Sequence, residues 1–173
     1  MADTGPGPSR ERLEALADTL WAERHVVEFL LYKLTVAKLL LAADERRFVT
    51  AALSEVEQVV GRLREAEERR QAALADVAAE WRRPAAEVTL SALAKETSEP
   101  MRGVFEDHRK GFQELSVEIE ETAAENRRLA SGSLNSIQEA LGALTGGNPA
   151  PTYTAKGRTQ SPTVGPTQWD RSL

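Results

Sequence analysis

The chain has 173 residues, enough for one core of ordinary domain size, but only 5% of them are aromatic while 28% are charged. Ala, Leu, Glu and Arg dominate, which is the composition of long helices and speaks against a β-sheet. The formal net charge is −5, and an acidic chain lacks the basic face that displaces counterions from nucleic acid.

Within that charge, segment 146–173 holds Lys156, Arg158 and Arg171 against Asp170, which leaves −7 for the remainder. The absence of cysteine excludes a disulfide framework and thiolate chemistry and fits a reducing compartment. The opening MADTGPGPSR has no apolar core for a signal peptide, and no apolar run approaches the roughly 20 residues of a membrane span. A soluble, cytoplasmic protein is expected.

Residues 1–9, with Gly5, Pro6, Gly7 and Pro8, read as a disordered lead. Ser9 is placed to cap the first helix, because its hydroxyl can accept an amide hydrogen of the first turn. Leu13, Leu16, Leu20, Val27, Leu30, Leu34 and Leu41 form a heptad stripe broken by Glu23 and Ala37, so a helix is expected from Arg10 to about Ala43.

Asp44 to Phe48 is a polar interruption without Gly or Pro. A turn there pairs two helices antiparallel; without one, the chain continues as a rod of roughly 100 Å. The hairpin buries more and is the expectation. The second stripe runs through Val49, Leu53, Val56, Val60, Leu63, Leu74, Val77 and Trp81, with Glu67 and Arg70 as gaps, and Pro84 stops it. Thr89 caps a short amphipathic turn carrying Leu90 and Leu93. After Pro100, the residues Met101, Val104, Phe105, Phe112, Leu115 and Ile119 mark the last long helix, which ends near Thr145 before Gly146, Gly147, Asn148 and Pro149. The expected fold is all-α: a long antiparallel helical hairpin, a short helix and a long C-terminal helix in a coiled-coil-like bundle, residues 10–145. Residues 146–173, rich in Thr, Pro, Gly and Ser, follow as a flexible, disordered tail.

Chemistry is sparse. A helical di-iron site needs Glu three residues before His, yet Ala22 precedes His25 and Phe105 precedes His108. Zinc-protease, phosphate-loop, dinucleotide and nucleophile-elbow motifs are missing from the sequence. Both histidines read as surface or half-buried helix residues. The acidic runs around Glu67 and Glu120 alternate with arginines and read as solvated, ion-paired faces. No catalytic residue, metal, cofactor or small-molecule substrate is expected. Trp21 and Trp81 fit core packing, whereas Trp169 lies in the tail, where no core accounts for it.

One face of the last helix stands out. At about 100° per residue, Asn126, Ala130, Ser133, Ile137, Leu141 and Leu144 fall within some 40° of one line, so a stripe with large apolar residues at both ends turns small and polar in its middle. Two accounts fit. An asparagine at a helix seam fixes register inside the protein; alternatively, the groove is kept for a partner's helix.

The order of parts resembles the FlgN-type flagellar export chaperones. The pieces that carry it are WAERHVVEFLLYKLTVAKLLLAA, VTLSALA, ENRRLASGSLNSIQEALGALTG and TYTAKGR, spaced over nearly the whole chain from about Arg10 to Arg158. The resemblance implies a non-enzymatic, cytoplasmic chaperone. It would bind C-terminal helical segments of hook-associated (hook-filament junction) proteins, prevent their premature assembly and deliver them to the type III export gate. It places the client groove on the final helix, at Asn126, Leu129, Ser133, Leu134, Ile137, Leu141 and Leu144, and assigns Tyr153 to export-gate docking. An apolar strip from Leu134 to Leu144 is then exposed in a monomer or weak homodimer. The alternative is a coiled-coil scaffold or adaptor that self-associates.

Overall fold

The structure, a computed structural model, describes the backbone of residues 7–145 and the side chains of residues 7–132. Over that range the chain forms helices α1 (Arg10–Ala42), α2 (Arg46–Trp81), α3 (Leu90–Glu96) and α4 (Met101–Thr145), with a 3₁₀ turn at Ala85–Glu87. It is an all-α bundle, with no strand among the described residues. The tail 146–173 lies outside them.

Ser9 caps α1 by accepting the Arg12 amide at 3.4 Å. Its own amide donates to Glu80 Oε2 at 2.7 Å and its hydroxyl to Glu80 Oε1 at 3.3 Å. The start of α1 is thereby tied to the end of α2, and these bonds hold the Glu80 carboxyl below its ordinary range.

The interruption after α1 is a tight turn, shorter than the polar stretch implies, because α2 already begins at Arg46. The Glu45 amide donates to the Leu40 carbonyl at 2.9 Å and the Asp44 amide to Leu41 at 3.2 Å. That is the Schellman pattern, with Asp44 in the left-handed position at φ 56°. Aspartate tolerates this conformation better than most residues. Arg46 Nε donates to Asp44 Oδ1 at 2.6 Å and steadies it. The same device closes α2: the Arg83 amide reaches Ala78 at 3.1 Å around Arg82 at φ 54°. Thr89 caps α3 through the Ala92 amide at 3.1 Å.

α1 and α2 are antiparallel. Arg12 meets Asp76 at 2.7 Å near one end and Lys33 meets Glu55 at 2.7 Å near the other. α4 lies along α1 in the same direction, since Arg24 meets Asp107 and, farther on, Asn126 meets Leu34. α1 is therefore the central helix, and α3 packs against α4. Leu13, Leu16, Leu20 and Val27 of α1, Val77 of α2, Leu93 of α3 and Phe105 and Phe112 of α4 are buried in one cluster.

The second half of the α2 stripe, Leu63, Leu74, Val77 and Trp81, meets the core as expected, but the first half departs from expectation. Leu53 is 47% exposed, whereas Ala52, Val59 and Ala66 are buried. Small side chains permit close helix packing, so along this half of α2 shape outweighs side-chain hydrophobicity in choosing the buried line. Trp21 also departs: it is 43% exposed and lies at the edge of the α1 and α4 contact.

Candidate functional site

The expected binding face is carried by α4, so its docking on α1 decides which part is free. The docking rests on a cluster in the N-terminal half. His108 is fully buried, edge-on to Trp21 with ring centroids 4.8 Å apart. This corrects the expectation of a surface or half-buried histidine: the imidazole fills the seam between α1 and α4. Neither ring nitrogen has a hydrogen-bond partner. Burial first, and the neighbouring Arg24 cation second, push its pKa down to about 4 against a smaller opposing pull from Asp107. His25, by contrast, is exposed.

Arg24 crosses the same seam. Its Nη1 donates to Asp107 Oδ2 at 2.9 Å, its Nε lies 3.4 Å from Glu28, and its guanidinium sits 5.4 Å from the Trp21 ring centroid. It can do so because α4 presents Gly111: a Cβ there would lie 2.5 Å from Arg24 Cζ. Below this cluster Val27, Leu30, Leu63, Phe112, Ser116, Ile119 and Glu120 line a crevice of about 90 Å³ between α1, α2 and α4.

Farther along, Asn126 Nδ2 donates to the Leu34 carbonyl at 2.9 Å. Its Oδ1 is buried without a partner. Asn126 thus touches α1, as the internal account of the polar gap requires of it. Leu129 and Ala130 are half-buried. Glu125 and Arg128 pair at 2.6 Å beside them, which depresses the Glu125 carboxyl. Ser133, Leu134, Ile137, Leu141 and Leu144 belong to the same helix, but their side chains lie outside the described residues, as does Tyr153 entirely.

The lengths of the helices are informative. From Leu34, α1 runs only to Ala42, roughly 12 Å, whereas α4 runs from Asn126 to Thr145, roughly 28 Å. With the two parallel and in register at Asn126, the last turns of α4 extend past the end of α1.

Among the described residues no group of three His, Cys, Asp or Glu side chains could hold a metal ion, and no helix is long and apolar enough to cross a membrane. Two features escaped sequence reasoning. One is the cluster of Trp21, Arg24, His108 and Gly111, whose only sequence signal is a glycine at mid-helix. The other is a second apolar line on α1, legible as Trp21, His25, Phe29, Tyr32, Val36 and Leu39 at helical spacing but eclipsed by the leucine heptads.

In comparison with known proteins, the family model described as FlgN protein matches residues 12–161. No curated protein and no solved structure matches the chain.

Proposed function

Because the chain belongs to the FlgN family, with the flagellar export chaperone role that membership implies, we propose that it binds the C-terminal helical segments of hook-associated proteins in the cytoplasm. There it shields them from premature assembly and releases them to the export gate. The observation that carries this proposal is the overhang of α4: from about Leu134, level with the end of α1, its last turns with Ile137, Leu141 and Leu144 extend beyond that end. An amphipathic client segment is an aggregation hazard while unpaired, and a second amphipathic helix covers it reversibly.

In this scheme Leu129, Ser133, Leu134, Ile137, Leu141 and Leu144 meet the client. Asn126 marks the near edge of the groove and holds α4 to α1 through Leu34. Tyr153 serves export-gate docking. The protein performs no catalysis: binding and release supply the function, with stabilisation of the bound client following from mass action alone.

The test is substitution in the full-length chain. Ile137→Glu combined with Leu141→Glu should abolish capture of a hook-associated C-terminal segment while leaving helicity intact. Capture undiminished by the pair would move the groove elsewhere. The scaffold alternative would instead show these substitutions dissolving a stable homo-oligomer.

A further inference from the structure

α1 has α2 on one side and α4 on another, and a helix so placed ordinarily turns a polar third side to water. Here that side carries Trp21, 43% exposed, Phe29, 39%, Tyr32, 56%, and Leu39, 61%. Exposed His25 and half-buried Val36 complete the line. The ridge is about 27 Å long. Taking about 200 Å² for a whole large side chain, the four most exposed residues present on the order of 400 Å², as much as the largest apolar patch of a typical monomer. Phe29 and Tyr32 stack with centroids 5.9 Å apart. Lys33 Nζ lies 5.2 and 5.3 Å from those centroids, at the ridge's edge.

The ridge has the period of a helix seam. Ala22, Phe29 and Val36 occupy one heptad position, and His25, Tyr32 and Leu39 the other. Glu28 and Lys33 flank it on opposite sides, five residues apart, which is the spacing that joins one helix to the next heptad of a parallel copy. In an antiparallel pairing Glu28 would meet Thr35 and Lys33 would meet Val26, and the charges would go unanswered.

We propose that this ridge docks a second copy of the chain, α1 along α1 in parallel, with Glu28 of each copy meeting Lys33 of the other. Both charges have capacity for it. Glu28 is 44% exposed and touches Arg24 and His25 only at 3.4 Å; Lys33 bonds Glu55 at 2.7 Å and retains further N–H donors. Two such ridges bury roughly 800 Å² together, below the usual range for stable complexes, so the dimer is weak and concentration-dependent. The ridge belongs to α1 and the proposed client groove to the far turns of α4, so dimerisation and client capture are separable.

The experiment is sedimentation velocity on the full chain from roughly 10 μM to 1 mM, with circular dichroism to confirm that each variant is folded. The mass should rise from monomer toward dimer in the wild type and stay monomeric in Phe29→Glu/Tyr32→Glu. Glu28→Lys should weaken the dimer about two- to fivefold, and adding Lys33→Glu should restore it. The chain lacks cysteine, so Leu39→Cys supplies a clean register probe: parallel docking sets residue 39 beside its copy, and oxidation should link the dimer. A monomer at every concentration would overturn the proposal. So would a dimer indifferent to Phe29→Glu/Tyr32→Glu, or one linked only when Ala22→Cys accompanies Leu39→Cys. Loss of client capture in the ridge variants of a monomeric wild type would assign the ridge to the client and refute the dimer. Failure of Ile137→Glu/Leu141→Glu to affect capture would bear on the α4 groove alone.

Discussion

Glu23 on α1 and Arg70 on α2 meet inside the hairpin, carboxylate oxygen to Nε at 2.7 Å, with the glutamate wholly shielded from solvent. Each interrupts the apolar stripe of its own helix, and the two interruptions fall opposite one another. A slip of one helical turn would bury either charge unpaired, so the pair fixes the register of the hairpin. The contact is close but poorly aligned: neither oxygen of Glu23 nor Nε of Arg70 has a well-formed hydrogen bond.

Removing one partner should therefore cost more than removing both. Arg70→Ala is expected to destabilise the protein by about 3 kcal/mol, whereas Glu23→Leu/Arg70→Leu should be neutral or stabilising. Urea unfolding of the two variants at pH 8 checks the order.

Burial, opposed by the Arg70 cation and reinforced by Glu67, raises the Glu23 carboxyl from 4.5 to about 7. The folded state then holds a proton that the unfolded state gives up, so this group's contribution is full below pH 4.5 and is lost as pH rises to about 7. His108 works the other way. Its pKa falls from 6.5 to about 4, so its contribution is full above pH 6.5 and is lost as pH falls toward 4. Each spans about 3 kcal/mol, and over pH 4.5–6.5 they oppose. Wild-type stability should be nearly flat there. Glu23→Gln should unmask a rise with pH, and His108→Leu a fall. Parallel curves for all three proteins would refute both assignments.

Much of this was legible in the sequence. The leucine heptads of α1, the caps Ser9 and Thr89 and the stop before Pro84 stand in the structure as expected. The hairpin turn was ambiguous because Asp44 does what glycine usually does, and a sequence without Gly or Pro does not announce a left-handed residue. In the first half of α2 the buried line runs through Ala52, Val59 and Ala66 rather than Leu53, because small side chains, though weak in hydrophobicity, suit a close helix contact; Leu63, Leu74, Val77 and Trp81 meet the core as the stripe implies. The burial of His108 is not legible in the sequence, because a polar residue signals the surface until its neighbour Trp21 is known. Of the expected client residues, Asn126 and Leu129 have described side chains, and Asn126 faces inward.

Gly111 is held small by Arg24. Alanine in place of glycine at a helix interior ordinarily gains roughly 0.5–1 kcal/mol. Here the added methyl would displace the guanidinium. Gly111→Ala alone should be neutral or slightly destabilising, and the gain should appear only in the Arg24→Ala background. Thermal melts of the four-member cycle test this coupling.

Asn126→Leu replaces a buried oxygen without a partner and sacrifices one bond to Leu34. A gain of about 1 kcal/mol in stability is expected, because the orphaned acceptor costs more than the bond returns. Client capture should weaken, since a leucine narrows the near end of the groove. Unchanged affinity in a stabilised variant would confine Asn126 to a purely internal role.

The most direct measurement is calorimetric titration of the full chain with C-terminal segments of hook-associated proteins from the same organism, beside an unrelated amphipathic helix. Selective, saturable binding with a negative heat-capacity change, lost in Ile137→Glu/Leu141→Glu, is the predicted result. A folded protein that binds none of these segments, or binds the unrelated helix equally well, would contradict the assignment of α4 as a client-binding helix.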